Sequence, residues 1–518
     1  MAVALSLSPD RAAAPKDLEI RPKQFKAWLA SLPLAQAADT TRKLTTHVAA
    51  MNRARFDLDD RLQIIDACRP IAAVLLEELD AIYGKAALPL VPRAREALTL
   101  ARDLCAELAL AYKTTVVEKS GKLIAFGAKK QLPGLALRAM EYLGAGLRAS
   151  YKSYTPVPPG VWREMHQLYL HAEQGGYARE VGDAESKTTV FDAYAEALLL
   201  SLTDPYRLVQ GDADKIVAQA RSARAPVTLG QERPTTRAGG HFLVPCDTDK
   251  PPKPLASAND DAGGPNWRLL DTNALVDKLT MRKQAMETGN VSATTSRMVG
   301  PDGLALLARL VILWGEPPKR ASRRNPMETT VAVCVGLKGV SHFVSLEPKL
   351  APDAEQDALR KGITMPLVAL PTDDASQPIP VFEWDVVNQS AGGLKVRRMG
   401  ATQQPISVGE VVGIKFLDRA RWTVGAVRWI TMFDEGGMEF GIQFLAPAAR
   451  MVWVQPTIAS SPQAKLSLML DDMLLTPPNT FSDLREYEVE HDGVLTSVRA
   501  TRLIEKTGRF ELFHVLPS

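Results

Sequence analysis

Asn388-Gln389-Ser390-Ala391-Gly392-Gly393, running on into Leu394-Lys395-Val396-Arg397, is the stretch that decides the fold. Asn, Ser and Gly are turn formers, and apolar and polar residues alternate after them. Three more runs follow in the same style. Val408–Phe416 reads as a strand with an early glycine, Trp422–Ile430 alternates over a long run, and Met438–Leu445 closes the set. β-branched and aromatic runs separated by Gly, Pro and Asp are short strands, and short strands at this spacing suggest a small antiparallel barrel. Upstream, Thr329–Val335 and Val381–Val387 read as its first two strands. Between them, at about 340–379, lies an insertion with a helix-like stretch (Pro352–Lys361), an apolar run (Met365–Leu370) and a loop (Pro371–Ser376). A barrel tolerates such an insertion because loop-closure entropy grows only logarithmically with length.

Just ahead of the first strand stands Arg320-Ala321-Ser322-Arg323-Arg324, an R-x-x-x-R. Alone it reads as a solvated basic cluster after a helix, or as a non-specific nucleic-acid patch. Alone, Asn388–Gly393 reads as a plain turn. In this order, with the strand series behind them, the two resemble the nucleotide site of PilZ domains, small bacterial β-barrels that bind cyclic di-GMP. The run "N-x-S-x-x-G, strand, glycine-led strand, G-x-V-R-W, G-I-Q-F" extends the resemblance beyond the two motifs. Arg324 and Asn388 lie farther apart than the matching motifs of most PilZ domains, which are separated by roughly one strand and a turn.

The resemblance implies roles that the chemistry supports. Cyclic di-GMP is a dianion with two guanines. A guanidinium fork meets guanine O6 and N7 with two parallel hydrogen bonds and pairs bidentately with phosphate. Arg320 and Arg324 are the expected clamps and Arg323 their helper. Asn388 is expected to read a guanine edge and Ser390 to contact phosphate. Gly393, lacking a Cβ, is expected to shape the turn or let the backbone come close to the ligand.

The rest of the chain frames that barrel. At 518 residues it is too long for one core and should divide into two to four domains. A hydrophobic fraction of 46% argues against wholesale disorder, and a net charge of +3 gives no polyelectrolyte signal for nucleic acid or anionic membrane. No apolar run reaches the ~18 residues that a membrane span needs. The first fifteen residues carry no signal-peptide pattern and are expected to be mobile. The cysteines, Cys68, Cys105, Cys246 and Cys334, are scattered without a C-x-x-C pair, which points to a reducing cytoplasm. Cys68, Cys105 and Cys334 sit in apolar patterns as buried structural residues. The seven histidines show no metal-like spacing, and His166 and His171 fall on different helix faces.

Helical periodicity dominates the N-terminal half. Asp57 is the expected N-cap and Gly84 the stop of a helix through Arg61–Tyr83; further helices are expected at about Arg93–Val117, Leu132–Tyr151, Gly160–Glu173 and Thr189–Thr203. Trp162–Ala172 looks like one helix of a tetratricopeptide-type hairpin, yet no clean repeat of that period emerges. The expected organisation is multidomain α+β. It comprises a flexible N-terminus (1–17), an all-α helical-hairpin array (18–222), a connecting region of short strands, a loop and two helices (223–315), a PilZ-like barrel (316–460) and a C-terminal β extension (461–518).

The expected function is that of a cytoplasmic cyclic di-GMP receptor, with no metal and no cofactor beyond the ligand, and with no nucleic-acid partner or membrane insertion. No phosphate-binding loop, nucleophile elbow, zinc-protease helix or dinucleotide fingerprint is present, so catalysis is not expected. Binding would order the arginine segment, fix the domains relative to each other and let the helical region offer or hide a surface for a protein partner. The alternative is a PilZ-fold scaffold that has lost nucleotide binding and acts through protein contacts only. A third reading is a nucleic-acid binder using the basic segment.

Overall fold

A computed structural model describes residues 4–7, 11–121, 128–222, 226–232, 234, 239–257, 266–288, 293–318, 324–347, 379–400, 404–434, 436–457 and 463–518. The chain forms two compact units. One holds residues 1–86 and 90–319, the other residues 87–89 and 320–518.

The first unit is mainly helical. Its short N-terminal strand β1 (Ala12–Ala13) runs parallel to β2 (Ala54–Arg55). Its helices are α1 (Pro22–Ala30), α2 (Ala37–Asn52), α3 (Leu58–Tyr83), α4 (Pro92–Gly121), α5 (Ala128–Lys152), α6 (Val161–Gln174), α7 (Val190–Ser201) and α8 (Asp212–Ser222). Local chemistry sets their ends. The Asp57 carboxylate accepts from the amides of Asp59 and Asp60 at the start of α3. At α7, Thr189 and Asp192 form a reciprocal capping box. A small hairpin, β3 (Val181–Asp183) with β4 (Thr188–Thr189), leads into α7.

Two expectations for this unit are corrected. Described residues near the N-terminus are held: Leu5 is buried and the Ser6 carbonyl accepts from the buried Lys113 ammonium. Nor do residues 223–315 form a separate joint. A four-stranded sheet, β5 (Thr228–Gly230), β6 (His241–Pro245), β7 (Lys253–Pro254) and β8 (Trp267–Asp271) in the order β5-β8-β6-β7, joins the helices α9 (Asn273–Glu287) and α10 (Ala293–Trp314). Phe242, Val244, Leu270, Leu275, Leu310 and Trp314 share one apolar core with α2 to α8. The apolar strand residues need a covering layer, and the helices supply it.

His166 on α6 shows the same continuity. Its ring bonds Tyr194 on α7 (2.5 Å) and the Lys250 carbonyl (2.9 Å). Burial holds its pKa down at about 4, against 6.5 when exposed. The neutral ring's contribution is therefore complete above about pH 6.5 and is lost as pH falls toward 4. In that window the stability of this unit should decline more steeply in the wild type than in His166→Gln. Urea denaturation at a series of pH values checks it, and parallel slopes would remove His166 from the account.

The second unit contains two closed antiparallel barrels. The first has strands β9 (Asn325–Val335), β10 (Phe382–Ser390), β11 (Gly393–Met399), β12 (Val411–Phe416), β13 (Thr423–Met432) and β14 (Gly437–Ala446), paired around the ring as β9-β10-β11-β14-β13-β12. Trp384, Val386, Val396, Ile430 and Phe440 are buried, and the Trp384 and Phe440 rings meet edge-to-face at 4.7 Å. After β9, helix α11 (Leu337–Ser345) buries Val340, Phe343 and Val344. The expected insertion thus begins with an ordered helix; its continuation, including Pro352–Lys361 and Met365–Leu370, lies outside the described residues.

The second barrel has strands β15 (Arg450–Pro456), β16 (Lys465–Leu470), β17 (Met473–Thr476), β18 (Glu486–His491), β19 (Val494–Lys506) and β20 (Glu511–Pro517), paired as β15-β16-β17-β20-β19-β18. Sequence placed residues 450–456 in the first barrel and 461–518 in an extension; register assigns both to a barrel of their own. Numbered from its own first strand, each barrel closes in the order first, second, third, sixth, fifth, fourth. The second barrel therefore repeats the topology of the first. Val452, Val454, Leu474, Tyr487, Val489 and Phe513 fill its interior, while Leu468, Leu470, Leu475, Phe510 and Leu512 face outward and pack with α11.

Candidate functional site

Strand register brings the two motifs together. β9 begins at Asn325, directly after Arg324, and runs antiparallel to β10. Asn325 pairs with Gln389, and Pro326 with Asn388. The end of the arginine motif therefore enters the barrel beside the asparagine motif, and the long insertion leaves from the opposite end of β9. Arg324 is exposed; Arg320 and Arg323 lie outside the described residues.

The second motif forms a hairpin. Ser390 pairs with Gly393 across the turn Ala391-Gly392, and the Ser390 hydroxyl donates to the Gly393 carbonyl at 3.2 Å. The turn is anchored to β14 by the Phe444 amide, which donates to the Gly392 carbonyl at 3.0 Å. Gly393 is required by close approach: a Cβ there would collide with the carbonyl oxygen of Ile442. A bulge after Val386 shifts the register so that Asn388 faces Lys395 on β11. Asn388 Oδ1 and Gln389 Oε1 are buried and have no hydrogen-bond partner among the described residues. A buried acceptor left unpaired costs about 1–3 kcal/mol, so these oxygens invite a donor.

Side chains that strand reading had treated only as pattern complete the face. Asn388 pairs with Lys395, Lys395 with Gly441 on β14, and Gly441 with Trp429 on β13. The Trp429 indole lies where a Gly441 side chain would stand, and the Lys395 ammonium sits 5.5 Å from that ring. Glu439 holds Lys395 at 2.7 Å and Arg397 at 3.0 Å, leaving the group with a net positive charge. A parallel row runs Ser390, Gly393, Gln443, with Arg428 donating to Gln443 Oε1 at 2.7 Å. The result is an outer barrel face with an aromatic plate, cations near it and the unsatisfied amide oxygen of Asn388; Gln389, paired with the buried Leu394, points to the barrel's inside. Such a face can take a planar heterocycle and an anion together. Period-two alternation hinted at Lys395; Trp429 and Gln443 needed the pairing of β11, β14 and β13, which sequence does not print.

Among the described residues no group of His, Cys, Asp and Glu is arranged to hold a metal ion. The four cysteines are buried, and burial pushes each thiol up to about 12.

Two family descriptions match the chain. Residues 23–233 match the N-terminal domain of the cyclic-di-GMP receptor FimW, and residues 241–361 and 353–450 match its middle PilZ domain. The chain belongs to this PilZ-containing family. A relative, the cyclic-di-GMP receptor FimW of Pseudomonas aeruginosa, is 27% identical over 483 residues, covering 84% of this chain and 78% of its own length. The PilZ match includes both motifs and every strand of the first barrel, and it stops at residue 450, where the second barrel begins. No helix of the described residues is long and apolar enough to cross a membrane.

Proposed function

We propose that this chain is a cytoplasmic receptor for cyclic di-GMP and that the first barrel binds the nucleotide on its outer face. One observation carries the reading: β9 places Arg324 next to Gln389 and Asn388, and the buried Asn388 amide oxygen lacks a partner among the described residues. In this reading Arg320 and Arg324 clamp guanine edges and phosphates, and Arg323 assists. Asn388 accepts from a guanine N–H, and Ser390 turns its hydroxyl to phosphate. Lys395 and Trp429 supply charge and a stacking surface. The match to a receptor family and the similarity to FimW support the same ligand. Adenine lacks the O6 acceptor, so cyclic di-AMP is discriminated against.

The arginine segment joins the two units, since the second unit starts at Arg320. Three like charges repel each other in the free protein, and a dianion gathers them. Binding then orders residues 316–324 and signals to the helical unit, which serves a protein partner. The scaffold reading is separated by a thermal melt. Cyclic di-GMP at a hundredfold over its dissociation constant should stabilise the second unit by about 2.7 kcal/mol, and Asn388→Ala with Ser390→Ala should cut the shift by about half or more. An unshifted wild-type melt at saturating nucleotide would favour the scaffold.

A further inference from the structure

The repeated topology allows the two barrels to be superposed residue by residue on their pairing. Both hairpins close over two residues: Ser390 opposite Gly393 in the first barrel, Leu470 opposite Met473 in the second. Asn388 then corresponds to Leu468, Ser390 to Leu470, Gly393 to Met473, and Lys395 to Leu475. Gly441, paired with Lys395, corresponds to Leu512, paired with Leu475. Where the first barrel has amide, hydroxyl and ammonium groups, the second has leucines, fully buried against α11. The face that corresponds in register to the candidate nucleotide face packs against α11 of the first barrel. Among the described residues the second barrel carries no matching set of polar groups at these positions.

It does reach the first barrel's site. The turn between β19 and β20 lies against the first barrel, with Thr507 donating to the Gly409 carbonyl at 3.2 Å and Arg509 3.4 Å from Glu410. Just before that turn, Glu505 takes Arg428 in a two-pronged ion pair, with one contact at 2.7 Å. Both partners sit at β-bulges, Arg428 between Val427 and Trp429 and Glu505 after Leu503, so both strands are locally re-aimed toward this pair. The same guanidinium bonds Gln443, whose register partner is Gly393 of the asparagine motif. Arg428 is thus a cation of the candidate face whose charge is taken up by a carboxylate from the second barrel.

We propose that Arg428 is a further ligand-contacting residue and that Glu505 competes with the ligand for it, so the second barrel attenuates nucleotide binding in cis. The inference rests on the receptor reading above. A dianion arriving beside Ser390 and Gln443 meets a guanidinium that must first loosen from Glu505. The pair is roughly a quarter exposed, so its strength is modest. Solvent still reaches and screens both partners, so freeing Arg428 is worth about two- to fivefold in affinity.

Titrating cyclic di-GMP into the full chain tests it as a double-mutant cycle. Glu505→Gln should bind about two- to fivefold tighter than wild type. Arg428→Ala should bind about tenfold more weakly, and adding Glu505→Gln to Arg428→Ala should change nothing further. Thermal melts of each variant confirm that the unit is folded. Equal affinity of Glu505→Gln and wild type, or a gain that survives in the Arg428→Ala background, overturns the inference alone. No saturable binding by the wild type overturns the receptor reading and this inference with it.

Discussion

Leu468→Asp should destabilise the second unit by about 3–5 kcal/mol, the cost of an uncompensated charge in a packed interior. Leu468 lies on the outside of a barrel, where an isolated six-stranded barrel would tolerate a carboxylate. In this chain it is fully buried among Val340, Phe343, Val344 and Leu470. Leu516, on β20 of the same barrel, is the control: it is 58% exposed, and Leu516→Asp should cost less than about 0.5 kcal/mol. Denaturation of both variants, followed by hydrogen exchange at β16 and β17, gives the comparison. Similar costs at the two positions would contradict the packing of the second barrel on α11.

Removing either of the arginines proposed as clamps should have the largest effect on ligand binding. A bidentate guanidinium contact to guanine is worth roughly 1–3 kcal/mol, so Arg320→Ala and Arg324→Ala should each weaken cyclic di-GMP binding about ten- to a hundredfold. Arg324 is exposed and directly precedes β9, so its loss leaves the barrel core untouched. Melting points should therefore stay near wild type while affinity falls. Wild-type affinity in both variants, in one buffer, would remove the arginine segment from the site. Hydrogen exchange adds the mechanism: protection at residues 316–324 on binding is expected, and protection confined to 388–393 would contradict the coupling.

The barrel was legible in sequence because its strands carry it locally. Val411–Phe416, Thr423–Met432 and Gly437–Ala446 stand where Val408–Phe416, Trp422–Ile430 and Met438–Leu445 had been read, and the Asn388–Gly393 turn marks its hairpin. Helices α3 to α7 were equally plain from apolar spacing and, for α3, from the cap at Asp57. What stayed hidden depends on pairing between distant residues. Val227 and Phe242 look like isolated short strands until the core of α7 and α8 is set against them. Residues 461–518 read only as a β extension because the repetition of the first barrel is one of strand order, carried by register. Gly393 was expected to serve a turn or a ligand, and the immediate demand on it is the Ile442 carbonyl.

Calorimetric titration of cyclic di-GMP into the full chain, alongside the Asn388→Ala, Ser390→Ala double variant, tests the central claim most directly. The account predicts saturable binding by the wild type, at least about tenfold weaker in the variant, with both proteins melting alike without ligand. No binding by the wild type, or equal binding by both proteins, would contradict it.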